Sequence, residues 1–413
     1  PPPPPLSLSP SGFTYVMVVP TNESDPLYTQ WSKEGTIGGK RFQNPIVNAT
    51  GDDPSTAWKT KDGEWRIVGN QGCAPEGGNP LYGSLDFVSW YKIGCTTLMA
   101  GDCPSFFPLP ALTPGSEHYV PFHLANSGPL PDHVHKSGGK GGDQTQVGAW
   151  VDGKAGPAGT GTVGSWTLTE GSVTQFLDKG KTHASKDFHD PNGKGRQIMW
   201  VWGTLESGIQ TVPRDMTYHP GLLRIVYSPV AEMRALRGAQ IDTVTSPTSI
   251  AATTPLTLKA SKACDIVLSF TPPTVATTIT VTFEAKTKST ITIDFVPPPA
   301  AVTSNLFDKS GAGKPWMVDI EVVKFTDKLP MLPDDKELTL EIFLDNYVAE
   351  AYFQNGRVAM TSDLVNLVDV KSVTVAATGA GGVTLTSATV YAMGDIHVPV
   401  ADVLAAHYAQ KQV

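Results

Sequence analysis

Residues 278–296 read TITVTFEAKTKSTITIDFV, and this stretch decides the fold. Threonine and charged side chains alternate in it with isoleucine, valine and phenylalanine. A period of two places every second side chain on the same face of a β-strand. The stretch therefore predicts strands of a β-sandwich, in which one face of each sheet packs on the core and the other faces outward.

The rest of the chain also favours β-structure. The 413 residues include 40 glycines and 35 prolines, and short β-rich runs recur between these turn-forming residues. Such spacing is typical of all-β folds with many short strands. Residues 336–362 predict two or three further strands around a hairpin turn at Asn355-Gly356.

Charge and hydropathy exclude several classes of partner. The chain carries 31 basic and 39 acidic residues, which gives a formal net charge of −8. This balance argues against a nucleic-acid or anionic-membrane surface. No apolar run approaches the roughly 18 residues that a membrane span needs. We therefore expect no membrane-spanning helix.

The N-terminal part predicts a secreted glycoprotein. Because the chain begins with proline and shows no signal peptide, we interpret it as a processed or trimmed product. Asn22 and Asn48 each begin an Asn-X-Ser/Thr sequon. The opening prolines predict a stiff polyproline II segment, either a hydroxyproline-rich glycosylated module or a plain linker. The residues concerned are Pro1, Pro2, Pro3, Pro4 and Pro5.

The cysteines leave the disulfide pairing open. The histidines do not predict a metal-binding site. Four cysteines allow three complete pairings, among which sequence cannot choose. His133 and His135 have a spacing that a metal site on a strand could use, but no cysteine or carboxylate cluster accompanies them. We interpret the surrounding HVHKSGGKGGDQ as a glycine-rich loop. No glycine loop suited to phosphate binding follows a strand and opens a helix, so we expect no cofactor.

Six stretches in order along the chain resemble glycoside hydrolase family 32, the invertases and fructan hydrolases. The resemblance implies a five-bladed β-propeller followed by a β-sandwich. The stretches are SDPLYTQWSKEG with QNPIV, GDDPSTAWKTKDGEWRIVGNQG, GSLDFVSW, GDCPSFFPLP, HASKDFHDPNGKGRQIMWVWG and DNYVAEAYFQNGRVAMTS.

On this basis we divide the chain into five parts. The linker carries a candidate short helix, and the tail carries a second one. The parts are a proline-rich segment (1–11), a partial propeller (12–228), an interdomain linker (229–238), a β-sandwich (239–396) and a C-terminal helical tail (397–413).

The family resemblance also assigns candidate catalytic positions. Asp102 stands where the family has its glutamate acid/base, and Gly101 replaces the preceding tryptophan. Asp53 matches the transition-state-stabilising aspartate, and Asp52 replaces an arginine. The nucleophile motif is absent from residues 1–413, which predicts a first blade that is missing or supplied by another chain. Asp190, in Asp-Pro-Asn-Gly, is outside the nucleophile position, and we expect a tight turn there.

Tryptophans are candidate sugar-stacking residues. We assign Trp58 and Trp202, with Asp52, to substrate binding, and packing in a β-rich core is the alternative for each indole ring. Cys103 is expected to be a buried free thiol.

Two functional hypotheses follow from the departures at the signature motifs. The first is a secreted, non-catalytic protein with a structural or carbohydrate-binding role in an extracellular glycoprotein matrix. The second is a retaining β-fructofuranosidase whose nucleophile lies on a separate N-terminal fragment. An incomplete propeller also predicts self-assembly or a complementing fragment, because open sheet edges need cover.

Overall fold

A computed structural model describes the β-structured parts of the chain. For residues 34–37 and 40–43 it describes the strand pairing alone. The described residues are 34–37, 40–43, 53–70, 73, 77–108, 132–139, 141–156, 160–169, 172, 174–190, 196–205, 208–285, 288–297, 315–363, 370–379 and 381–394.

The described residues fall into two compact units. The first unit comprises the described parts of 1–178, 182–204 and 216–226, and the second those of 179–181, 205–215 and 227–413. The prediction of an all-β chain is confirmed. None of the described residues belongs to a helix with the length and apolarity required to cross a membrane.

Antiparallel strands that follow one another along the chain build the sheets of the first half. The sheet orders are β1-β2, β3-β4-β5-β6, β7-β8-β9-β10 with β11 on β9, and β12-β13-β15-β16 with β14 on β13. Such meanders are typical of propeller blades. The strands are β1 (Glu34–Ile37), β2 (Lys40–Gln43), β3 (Trp58–Lys59), β4 (Trp65–Val68), β5 (Pro80–Ser84), β6 (Tyr91–Cys95), β7 (Asp102–Pro108), β8 (His133–Gly139), β9 (Gly142–Asp152), β10 (Gly164–Leu168), β11 (Gln175–Phe176), β12 (Thr182–His189), β13 (Gln197–Gly203), β14 (Ile209–Gln210), β15 (Arg214–His219) and β16 (Arg224–Pro229).

A seven-stranded and a six-stranded sheet make up most of the described part of the second unit. One runs β17-β29-β20-β25-β26-β27, with β18 beside β29, and the other runs β19-β28-β21-β22-β23-β24. The strands are β17 (Arg237–Val244), β18 (Thr248–Ile250), β19 (Leu256–Lys259), β20 (Ala263–Phe270), β21 (Thr277–Glu284), β22 (Ser289–Phe295), β23 (Trp316–Val322), β24 (Phe325–Met331), β25 (Leu338–Asp345), β26 (Val348–Phe353), β27 (Val358–Asp363), β28 (Ser372–Gly379) and β29 (Val383–Met393).

The alternating stretch behaves as its pattern predicts. Residues 278–296 form most of β21 and all of β22, which pair antiparallel. Ile279, Val281 and Phe283 are at most 1% exposed, and they join the common core of both sheets. Full burial of such side chains contributes roughly 1.5–3 kcal/mol each, so the apolar positions of this stretch hold the two sheets together.

The Asn355-Gly356 turn also occurs where it was predicted. It lies in a 3-10 turn, Gln354–Gly356, which joins the antiparallel strands β26 and β27. Asn355 and Gly356 have φ angles of 54° and 95°, in the left-handed region that these residues tolerate. A Cβ atom on Gly356 would also lie 2.3 Å from the carbonyl oxygen of Tyr227, so the turn requires glycine.

One sequence interpretation was wrong. The stretch HVHKSGGKGGDQ is not a loop, because His133–Gly139 and Gly142–Asp152 form the hairpin β8–β9. Its glycines and charged residues concealed a strand whose central side chains are buried.

The predicted linker contains a short helix of the 3-10 type at Ala231–Leu236, and β17 begins at Arg237. Residues 1–11 and the predicted tail after residue 396 lie outside the described residues.

Candidate functional site

The site is built around an irregular start of β7. The β7–β8 register shifts between Asp102 and Ser105, and Cys103 adopts a φ of 47°. A Cβ atom on Gly101 would lie 1.9 Å from the carbonyl oxygen of Gly138. The backbones of β7 and β8 therefore approach so closely that only glycine fits at position 101. This feature is called the β7 bulge below.

The structure brings two of the sequence-predicted positions close together in space. The Cys103 thiol donates a hydrogen bond to Asp53 Oδ2 over 3.4 Å, across 50 residues of sequence. Burial raises the pKa of Cys103 to about 12, and the adjacent Asp53 carboxylate adds to the rise. The thiol is therefore protonated at neutral pH and holds Asp53 against the start of β7, where Asp102 precedes Cys103. As expected, Cys103 is buried and free.

A buried lysine stabilises the β7 bulge through hydrogen bonds to backbone carbonyl groups. The Lys136 ammonium, on β8, donates hydrogen bonds to the carbonyl oxygens of Cys103 and Ser185, the latter at 2.7 Å. Ser185 lies in a second register shift, on β12, next to Ala184 with a φ of 52°. Since bulges turn backbone groups away from the ladder, Lys136 supplies donors to both irregular segments.

Asp143 balances the charge of this lysine. Its Oδ2 lies 3.6 Å from Lys136 Nζ and accepts hydrogen bonds from the Ser185 amide and hydroxyl. Its Oδ1 lies 3.2 Å from His183 Nδ1. Burial acts to raise the pKa of Asp143, but Lys136 and these hydrogen bonds outweigh it and hold the pKa below its usual value.

Sequence reasoning missed the Lys136–Asp143 pair altogether. Each residue lies in a strand among buried neighbours. This placement would have identified both as buried charged residues only if the β8–β9 hairpin had been predicted. A charged residue is almost never fully buried unless it is paired. A correct strand assignment would therefore have called for a partner.

A second lysine lies on the exposed side of β12. Lys186 Nζ donates a 3.0 Å hydrogen bond to the Pro54 carbonyl oxygen, next to Asp53. Although much of the Lys186 side chain is exposed, desolvation of its ammonium group by surrounding protein lowers its pKa. The candidate site thus combines Asp53, Asp102 and a lysine at its edge.

The two candidate sugar-stacking tryptophans have different surroundings. Trp58 packs against Phe106, with ring centroids 4.9 Å apart, in an apolar cluster of the first unit. Trp202 is 49% exposed on β13, near the exposed Trp200 and Phe188. The structure therefore gives Trp58 a packing role and leaves an indole face open at Trp202.

The histidine pair is committed to structural contacts. His133 stacks on Phe106 at a centroid distance of 5.0 Å. The fully buried His135 ring lies 3.1 Å from the Ser105 carbonyl oxygen and 2.9 Å from that of Met99. Within the described part of the chain, no group of three or more His, Cys, Asp or Glu residues could hold a metal ion.

The stability of the first unit should fall between pH 7.5 and pH 5 because of His135. Burial lowers the pKa of His135 from 6.5 to about 4, although the two carbonyl contacts oppose the change. The unfolded chain therefore binds a proton at a pH where the folded chain does not. We expect the free energy of unfolding to drop by about 2 kcal/mol from this group by pH 5.

The measurement is urea unfolding at both pH values for the native chain and the His135→Gln and His189→Gln variants. His189 is exposed on β12 and serves as the control. The His135 variant should lose less stability on acidification than the other two. Equal losses in all three proteins would contradict the assignment.

The cysteine pairing is local. Cys73 and Cys95 form a disulfide that spans 22 residues, while Cys103 and Cys264 are buried and free. Replacing both bridged cysteines by serine should lower the free energy of unfolding by about 3 kcal/mol, because the open chain gains loop entropy. Denaturant titration with and without reductant checks this. Reductant should destabilise the native chain and leave the double variant unchanged, and any other pattern would count against the bridge.

Several predicted positions lie outside the described residues: Asp52, Asn22, Asn48, and the prolines at 1–5. The predicted turn at 191–193 also lies outside them, but its flanks are described. The Asp190 amide donates to the Arg196 carbonyl oxygen at 2.9 Å, and His189 pairs with Gln197 across β12 and β13. Asp190 thus stands at the start of a β-hairpin connection.

Comparison with known proteins identifies the family. The family model described as the glycosyl hydrolases family 32 N-terminal domain matches residues 17–222, and the C-terminal model of the same family matches residues 232–392. The chain belongs to glycosyl hydrolase family 32.

Individual relatives are more distant. The chain is 30% identical over 251 residues to β-fructofuranosidase, insoluble isoenzyme 3, of Oryza sativa subsp. indica, covering 54% of this chain and 41% of that protein. It is 28% identical over 258 residues to fructan 6-exohydrolase of Beta vulgaris, covering 55% of this chain and 39% of that protein. The chain thus spans about two fifths of the length of these relatives.

Solved structures establish the fold. A fructan 1-exohydrolase IIa variant from Cichorium intybus, in complex with 1-kestose, matches with a TM-score of 0.58 at 19% identity, covering 85% of this chain and 75% of that one. A fructofuranosidase variant from Schwanniomyces occidentalis, in complex with fructosylnystose, matches with a TM-score of 0.56 at 15% identity, covering 85% of this chain and 72% of that one. These proteins have a β-propeller followed by a β-sandwich, and the chain shares that fold.

Proposed function

We propose that this chain is a non-catalytic carbohydrate-binding member of family 32 with a structural role in an extracellular glycoprotein matrix. The observation that carries the proposal is the β7 bulge. There, an exposed aspartate takes the place of the family's glutamate acid, and the backbone contact at Gly101 excludes the preceding tryptophan.

The shorter acid matters because of its reach. Aspartate is one methylene shorter than glutamate, and a misplacement on the order of 1 Å can cost about a hundredfold in rate. Moreover, within the described residues, the Asp102 carboxylate has no hydrogen bond or ion pair to fix its position. Such a group is poorly placed to protonate a glycosidic oxygen reproducibly.

Sugar binding does not need this geometry. Asp53 is held by the Cys103 thiol through Oδ2, which leaves Oδ1 to accept a sugar hydroxyl. The open indole of Trp202 offers a face on which a sugar ring can stack. Trp58 and Asp52 are the further proposed contacts, Trp58 through an edge of its partly exposed ring.

Hydrolysis assays with sucrose and 1-kestose test the proposal. We expect no release of fructose above background from the native chain, and none from Asp53→Asn or Asp102→Asn. Hydrolysis by the native chain that disappears in both variants would overturn it. The Thr280→Ala variant, on the outer side of β21, is the control for handling and purity.

A second candidate is a β-fructofuranosidase whose nucleophile lies on a separate N-terminal fragment. The observation that favours it is the 3.4 Å contact between Asp53 and Cys103, the residue that follows the proposed acid Asp102. Its test is to add a fragment carrying a Trp-Met-Asn-Asp-Pro-like motif. Under this reading sucrose hydrolysis appears on addition and is lost again in Asp102→Asn.

Secretion and assembly are part of the proposal. The rice relative is named an insoluble isoenzyme, and the Cys73–Cys95 bridge suits an oxidising compartment. Peptide mapping of native material should find glycans at Asn22 and Asn48, hydroxylated prolines at 1–5, and any complementing fragment. Light scattering of the same material tests for self-assembly.

A further inference from the structure

The outer face of the β-sandwich sheet that contains β20 has a cavity of about 350 Å³. Alternate residues of β20 point to opposite sides, so Ile266 and Leu268 enter the core while Val267 and Ser269 line this cavity. We call it the sandwich groove. The lining residues used below are Arg234, Arg237, Ser269, Thr339, Glu341 and Tyr391.

Strand register places polar groups side by side across the groove. Ser269 pairs with Thr339 on β25, and on the neighbouring strands Val267 lies between Glu341 and Thr389. Directly opposed side chains in an antiparallel sheet have Cβ atoms about 4.5–5.5 Å apart. The floor therefore carries closely spaced hydroxyl and carboxylate groups.

Arg237 closes one end of the groove and is rigidly held. Its Nε lies 2.6 Å from Asp265 Oδ2, and a terminal nitrogen lies 3.1 Å from Glu341 Oε1. The guanidinium also stacks over the Tyr391 ring at 4.5 Å. Since three contacts fix this group, it is preorganised and loses little freedom when a ligand arrives.

Arg234 is the lining arginine whose guanidinium is available to a ligand. It is exposed, and no hydrogen bond or ion pair from another described residue engages its guanidinium. Burial raises the pKa values of Asp265 and Glu341, and Arg234 is close enough to act against both rises. A guanidinium offers five N–H donors, which here are available to a ligand.

The balance of charge selects the ligand class. Arg234 and Arg237 share the groove with the carboxylates of Glu337 and Glu341, while the buried Asp265 binds Arg237, so the groove favours neither a polyanion nor a polycation. Adjacent donors, acceptors and an aromatic wall suit a ligand that is neutral and rich in hydroxyl groups. The cavity is at the small end of the roughly 300–1,000 Å³ range of ligand sites.

We propose that the sandwich groove binds a neutral oligosaccharide of two or three units. The site adds to the proposed function, which supplies only the expectation that a neutral ligand rich in hydroxyl groups is a carbohydrate. All of its residues belong to the second unit, whereas Asp53, Asp102 and Trp202 belong to the first.

The test is titration calorimetry of the full chain with a panel of neutral trisaccharides: 1-kestose, cellotriose, mannotriose and galactotriose. We expect one of them to bind with a dissociation constant below about 1 mM. Ser269→Trp fills the groove and should weaken that binding at least about tenfold, as should Arg234→Ala through loss of its donors. Thermal unfolding first verifies that each variant is folded.

Matched controls separate the groove from its surroundings. Thr280→Trp places the same ring on the outer side of β21 in the other sheet, and Lys259→Ala removes a positive charge from β19. Both should bind the trisaccharide as the native chain does. Binding that survives Ser269→Trp but is lost in Trp202→Ala overturns the groove and leaves the proposed function intact.

The absence of binding by the whole panel also overturns the groove. Conversely, hydrolysis of sucrose by the native chain removes the proposed function but not the groove, which is then judged by the Ser269 and Arg234 variants alone.

Discussion

The Arg66→Met variant is expected to lose about 3–5 kcal/mol of its free energy of unfolding, because it leaves a buried carboxylate without its partner. Arg66 and Glu64 are both fully buried, with Arg66 Nε 2.8 Å from Glu64 Oε2. The same guanidinium donates to the carbonyl oxygens of Val163 and Gly153, each at 3.0 Å. It also donates to the carbonyl oxygens of Thr162 and Lys154, at 3.3 and 3.4 Å. The substitution therefore breaks an ion pair and removes a donor from four carbonyl groups.

Tyr91 forms a second hydrogen bond to the buried Glu64 carboxylate. Its hydroxyl donates to Glu64 Oε1 at 2.5 Å, and burial together with this bond raises the pKa of Tyr91 to about 12. Removing Arg66 leaves Tyr91 and the backbone amide of Gly156 as the described donors to a buried negative charge. Neither neutral group offsets the cost of desolvating a carboxylate.

Urea unfolding measures the loss, and a double variant identifies its cause. Glu64→Leu with Arg66→Met removes both charges, so it should cost clearly less than the sum of the single changes. The exposed pair Lys288–Glu284 is the control, and Lys288→Ala should cost at most about 1 kcal/mol. A double variant as unstable as that sum would show that packing, rather than charge, is lost.

Lys136→Met is expected to destabilise the first unit by a similar amount, about 3–5 kcal/mol at pH 7. It removes the donor shared by the Cys103 and Ser185 carbonyl oxygens and leaves Asp143 buried. The β7 bulge should loosen as a result. Lys186→Met is the comparison variant, because that lysine lies exposed on β12 and donates its hydrogen bond to the Pro54 carbonyl oxygen instead.

The pH dependence of this loss distinguishes charge from packing. In the native chain the pKa of Asp143 is lowered, so its contribution to stability is present above the unfolded pKa and is lost as the pH falls through the folded one. Without Lys136, burial raises that pKa and the folded chain takes up a proton more readily. The stability difference between native chain and variant should therefore shrink from pH 7 to pH 4. A difference that stays constant would contradict this account.

Local pattern was enough to predict the sandwich but not the site. Ile279, Val281 and Phe283 alternate with threonines, and this alone orients β21 in its sheet. The β8–β9 hairpin was not predicted, because its buried side chains include the polar residues Lys136 and His135. Their hydrogen-bond partners are carbonyl groups from elsewhere in the chain. Such partners are distant in sequence, so no local pattern indicates them.

The same limit applies to the candidate catalytic residues. Family resemblance indicated Asp53 and Asp102 individually, but the Cys103–Asp53 hydrogen bond depends on how the segment before β3 is placed against β7. The close approach at Gly101 depends on the register shift in β7, which the sequence GDCP does not reveal.

The close approach of the Gly101 and Gly138 backbones limits which substitutions this site can accept. With the Gly138 carbonyl oxygen 1.9 Å from where a Cβ atom of residue 101 would lie, a side chain can enter only after β8 has moved. No single substitution at position 101 can therefore place a tryptophan there. For a descendant of this protein, compensating changes in β8 would have to come before any large side chain at this position.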